Sequence, residues 1–133
     1  IPNCISYDPT FAHEVAVIMQ HGLKRMVEKQ ENVFYYLTLL NENYPMPGLT
    51  AGTEEQIIKG MYMCKPGAAG DKRVQLLGSG TILRESMAAR DLLAADWGVA
   101  ANVWSCPSFN ELARDGAQAE RWNSVFTGKL QRA

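Results

Sequence analysis

The sequence predicts an α/β fold built on parallel strands, and three stretches carry that reading. Val74-Gln-Leu-Leu77, Gly78-Ser79-Gly80, a helical pattern through Asp96 and a strand-like run at Val99–Cys106 read as strand, glycine turn, helix and strand. That order is a βαβ unit, whose crossover makes the strands parallel and lays the helix on one sheet face. Val33-Phe-Tyr-Tyr-Leu-Thr-Leu-Leu40 is nearly all apolar, β-branched or aromatic, as suits a strand covered on both faces. Ahead of it, Phe11, Val15, Ile18, Met19, Gly22, Leu23 and Met26 recur at helical spacing.

Taken in order, Ile1–Ser6 is a short extended lead-in. Asp8-Pro9 predicts a helix start, with Asp as cap and Pro at the first helical position, for a helix over about 9–28. Gly22 within it implies close packing against a neighbour. His13 and His21 stand eight residues apart rather than at the i, i+4 spacing of a helical ligand pair, so ordinary surface or interface histidines are expected.

After the apolar strand comes Asn41-Glu-Asn-Tyr-Pro-Met-Pro-Gly48, a turn-rich loop at a strand's carboxyl end. Ligands of open α/β sheets sit at that end, which makes Asn41, Glu42, Asn43 and Tyr44 the candidate substrate or partner contacts. The competing reading is plain Asx-rich punctuation. Thr53-x-x-Gln56 predicts a capping box before a short helix bearing Ile57, Ile58 and Met61.

Lys65-Pro-Gly-Ala-Ala-Gly-Asp-Lys-Arg73 is small, polar and without periodicity, and reads as an interdomain linker. The chain is therefore expected to carry pieces of two domains. Beyond the linker, Gly78-Ser79-Gly80 lacks the third glycine of a dinucleotide fingerprint and the Lys-Ser/Thr of a P-loop, so Ser79 or Thr81 is expected simply to cap the helix. Trp97 and Trp104 are expected to pack on the unit. Ser108-x-x-Glu111 predicts a second capping box, with a short helix stopping near Asp115-Gly116 and another short helix or turn over Gln118–Asn123. Ser124–Ala133 shows no strong periodicity and reads as a frayed end.

The 133 residues carry a formal net charge of −1 with both signs scattered, which gives neither a basic stripe for nucleic acid nor a polybasic membrane anchor. No apolar run approaches the ~18 residues of a membrane span. Ile-Pro-Asn-Cys is not a signal peptide, and the missing initiator Met suggests a chain cut from something longer. Cys4, Cys64 and Cys106 are odd in number and far apart, with no Cys-x-x-Cys, so reduced thiols of a cytoplasmic protein are expected. No Ser/His/Asp set, paired carboxylates or phosphate motif of real specificity appears.

Five strings in order sharpen this reading: Ile1–Pro9 (IPNCISYDP), Leu39–Tyr44 (LLNENY), Val74–Gly80 (VQLLGSG), Ser108–Gly116 (SFNELARDG) and Glu120–Asn123 (ERWN). Together they resemble the homodimeric bacterial type of pyruvate dehydrogenase, the thiamin-diphosphate-dependent first component of its complex. The resemblance implies an internal fragment. Residues 1–64 would close a pyrimidine-binding-type parallel-sheet domain and 65–73 would be the linker. Residues 74–123 would begin a transketolase C-terminal-type βαβ domain, leaving 124–133 as an unmatched tail.

It also implies a parent enzyme that decarboxylates pyruvate on thiamin diphosphate and magnesium, then reductively acetylates the lipoyl group of a partner acyltransferase. The parent would be a cytoplasmic homodimer, with no nucleic-acid or membrane partner. The family's activating glutamate, Gly-Asp-Gly motif and active-site histidines lie upstream of Ile1. No catalytic, cofactor or metal residue is therefore expected here, and the fragment alone is expected to be inactive scaffold without cofactor. Two other readings stand beside this one: a stand-alone transketolase C-terminal-like interaction module without catalysis, and a small anion-binding domain using Gly78–Thr81. Severed parallel strands also leave unpaired edges, so an isolated fragment is expected to associate.

Overall fold

The computed structural model describes residues 1–68 and 70–125. Two small sheets lie side by side. In the first, β1 (Cys4–Tyr7) pairs in parallel with β2 (Phe34–Leu37). In the second, β3 (Tyr62–Lys65) and β4 (Arg73–Gly78) flank a central β5 (Ala100–Ser105), β3 antiparallel and β4 parallel to it. The parallel β4–β5 pair with its crossover helix is the unit expected from the sequence. β3 was not expected as a strand.

Helix α1 (Ala12–Leu23) crosses between β1 and β2 and runs on through a π-helical turn at Lys24–Glu28. Its start lies later than Asp8-Pro9 predicts. The Asp8 carboxylate is taken instead by the hydroxyls of Ser79, at 2.9 Å, and Thr38. The first turn is held from inside by Glu14, whose Oε2 accepts the backbone N–H of Thr10 at 2.6 Å and of Phe11 at 3.0 Å. Gly22 is close-packed as expected: a Cβ there would sit 3.3 Å from the Tyr35 ring.

Helix α2 (Glu54–Lys59) ends at Gly60. The capping box at Thr53 does not form, because Thr53 Oγ1 donates back to the Thr50 carbonyl at 2.7 Å. Helix α3 (Gly80–Trp97) starts after Ser79, but the Ser79 hydroxyl faces Asp8 and leaves the first turn without a side-chain cap. Leu83 and Met87 turn toward the sheet while Ile82 and Leu92 are exposed.

Trp97 does not pack on the unit. It closes α3 and is 73% exposed. Trp104 lies half-buried and donates its indole N–H to Gln75 Oε1 at 2.6 Å. Helix α4 (Phe109–Val125) runs unbroken through Asp115-Gly116, where the sequence suggested a stop. Its cap is half a box: Ser108 Oγ accepts the Glu111 N–H at 3.1 Å, while the Glu111 carboxylate pairs with Arg114 at 2.8 Å. Ser124 and Val125 end this helix, and the rest of the expected frayed tail lies outside the described residues.

The core has two clusters. Ile5, Tyr7, Val17, Ile18, Ile57 and Tyr62 form the larger, and Phe11, Leu83 and Val103 the smaller. The larger brings Tyr62 of β3 in against the first sheet, and the smaller mixes residues from before and after the loop joining β3 to β4. The two sheets are therefore packed on each other. Among the described residues no helix is long and apolar enough to cross a membrane.

Candidate functional site

The loop that leaves the carboxyl end of β2 folds back over the start of α1. Tyr44 anchors it, donating its hydroxyl to the Thr10 carbonyl and setting its ring edge-on to Phe11, centroids 6.3 Å apart. Arg84, from α3, lies 4.5 Å over the Tyr44 ring and pairs with Glu42 at 2.8 Å. A guanidinium on an aromatic face and on a carboxylate at once fixes the loop to the βαβ unit. Of the four residues singled out in the sequence, Glu42 and Tyr44 thus carry this docking. Asn41 and Asn43 stand exposed on the loop.

Beneath the loop lies a cavity of about 520 Å³, open on one side, where Phe11, His13, Tyr44 and Tyr62 bring their rings together. No local pattern marks His13 for this place, because its partners lie 34 and 49 residues away. Its Nδ1 is 3.0 Å from the Pro47 carbonyl and its Nε2 3.1 Å from the Tyr62 hydroxyl. His21 sits apart, 3.0 Å from the Tyr35 hydroxyl, so the two histidines share no site.

Behind Tyr62 stands Glu14, fully buried. Its Oε1 accepts the hydroxyls of Tyr62 at 2.7 Å and Ser105 at 2.6 Å, and its Oε2 accepts the two backbone N–H groups at the helix start. Four donors on one carboxylate replace the water that it lost. Burial, and then the Glu14 charge, push the Tyr62 phenol far above its ordinary range. Burial and Glu14 likewise raise the Cys64 thiol, and burial raises Cys106. All three cysteines are free thiols, with Cys106 buried and the other two half-buried. Raised thiol values oppose a nucleophilic role.

Among the described residues no three His, Cys, Asp or Glu side chains come together to hold a metal ion. The chain also carries no Gly-Asp-Gly run. The described residues do not fit a magnesium diphosphate.

The first part of the chain, residues 1–47, matches the family model of the pyruvate dehydrogenase E1 component middle domain. Residues 60–132 match that of the transketolase-like C-terminal domain. The chain is 60% identical over 99% of its length to the pyruvate dehydrogenase E1 component of Cupriavidus necator, of which it spans 15%. It is 54% identical over 97% of its length to that of Pseudomonas aeruginosa and 59% over 94% to that of Escherichia coli K12, spanning 15% and 14% of them. The chain thus covers about a seventh of these relatives. Identity at this level across almost every described element, with two family models matched in chain order, places this chain in the pyruvate dehydrogenase E1 component family.

Proposed function

We propose that this chain is a scaffold segment of a thiamin-diphosphate-dependent pyruvate dehydrogenase. In that parent, pyruvate is decarboxylated on the cofactor with magnesium, and the two-carbon unit passes reductively to a lipoyl group on a partner acyltransferase. The parent works in the cytoplasm as a homodimer. The observation that carries the reading is the 60% identity over 99% of the chain to a pyruvate dehydrogenase E1 component.

The chain's own part is positional. Residues up to about 64 close one α/β unit and those from about 74 open the next, joined by 65–73. The pairing of β3 with β5 supports moving this boundary back toward residue 60, where the second family match begins. Asp8 and Glu14 then fix the two units to each other, and Asn41–Tyr44 set the loop that faces ligand or partner. No reacting group belongs to this segment, so the isolated chain is inactive.

Replacing the matching segment of the Cupriavidus necator enzyme with residues 1–125 of this chain tests the proposal. The chimera should assemble as the parent does and acetylate a lipoyl domain from pyruvate at a comparable rate, while the 133-residue chain alone gives no decarboxylation. A folded chimera without activity, or turnover by the isolated chain, would overturn it.

A further inference from the structure

The cavity under the Tyr44 loop has a chemistry of its own. Phe11, Tyr44 and Tyr62 line it with aromatic rings, and Met46, Met63 and Met87 add thioethers that adjust to a guest's outline. His13 shows it a ring face, stacked on Phe11 at 5.6 Å, with both nitrogens engaged elsewhere. Tyr44 and Tyr62 have likewise committed their hydroxyl protons, to Thr10 and Glu14. The lining therefore offers flat apolar surface and little spare hydrogen-bonding capacity.

Its charge is one-sided. Arg84 and Lys65 both line the cavity. Arg84 is neutralised by Glu42, whereas Lys65 has no ion pair among the described residues. Glu14 lies behind Tyr62, saturated with donors. One free ammonium at the rim of an aromatic and thioether cavity complements one kind of guest. At about 520 Å³, the space is within the usual range for small-molecule sites and suits a body of two fused rings.

We propose that this cavity binds a flat aromatic monocarboxylate, with its rings against Tyr44 and the three methionines and its carboxylate on Lys65. This site is independent of the parent's reaction. It asks only that the loop over Thr10 be closed.

The probe is 2-naphthoate, titrated into the 133-residue chain carrying 13C-methyl methionine. Saturable shifts are expected at Met46, Met63 and Met87, with Met19 and Met26 unmoved. Lys65→Gln should weaken binding about fivefold, as should replacing the probe by uncharged 2-naphthalenemethanol. Lys65 is exposed, so the substitution leaves the fold intact. Shifts spread over all six methionines, no saturation, or equal affinity for acid and alcohol would each overturn the proposal.

Discussion

Glu14 Oε1 lies 2.6 Å from Ser105 Oγ across 91 positions of sequence, in a place closed to water. This contact joins the first turn of α1, the helix between the strands of the first sheet, to the end of β5, the central strand of the second. Tyr62 adds β3 to the same carboxylate.

Removing that carboxylate should be costly. Glu14→Gln keeps the volume but turns an NH2 group toward donors, leaving buried hydroxyl or amide hydrogens unmatched. A loss of about 3 kcal/mol is expected. Urea denaturation would read it as a lower midpoint, and Ser105→Ala should lose less, about 1 kcal/mol.

Two glycines in helices should respond in opposite directions. Gly80 opens α3 at φ +50°, where a Cβ would stand 2.7 Å from Asp8 Oδ2, so Gly80→Ala should destabilise by about 2 kcal/mol or more. Gly116 lies within α4 and a Cβ there would meet nothing within 4 Å. Gly116→Ala should stabilise by roughly 0.5–1 kcal/mol. Thermal melts of the pair should bracket the unaltered chain.

Acid should weaken the packing of α1 on β2 through His21. Burial first, then the nearby Arg25 and Lys29, hold its imidazole below the ordinary 6.5. The unfolded chain therefore binds the proton more readily. Stability from this residue is full above about pH 6.5 and falls as the pH drops through the folded-state value. His21→Gln should flatten the slope of unfolding midpoint against pH in that window.

The open edge of β2 should drive self-association. Phe34 and Tyr36 point away from α1 and are 44% and 59% exposed, on a strand paired on one side only. A flat aromatic edge is a template for another strand. Light scattering should rise with concentration, and the double substitution Phe34→Lys, Tyr36→Lys should suppress that rise.

Local patterns were readable in the sequence and long-range partners were not. The expected strand–helix–strand of 74–106 appears as Arg73–Gly78, Gly80–Trp97 and Ala100–Ser105, because period and glycine turns are local properties. Asp8 looked like a helix cap, yet its acceptors serve Ser79 and Thr38, 71 and 30 residues away. β3 escaped notice because four residues, YMCK, show no pattern until a central strand forty residues on supplies their register. Gly116 looked like a terminator, although a glycine ends a helix only when the chain turns left-handed there. In the candidate site, the loop was legible from its turn residues, but His13 was not, since both its partners come from other elements.

Asp8 reaches both sides of the junction at once. Its backbone carbonyl accepts Gly80 N–H at 3.1 Å, its N–H donates to the Pro107 carbonyl at 2.7 Å, and its carboxylate spans Ser79 and Thr38. Neither sheet can swing away from the other without breaking this knot. Amides of β1 and β5 should accordingly share one opening free energy in hydrogen exchange, and the segment should melt in a single cooperative step.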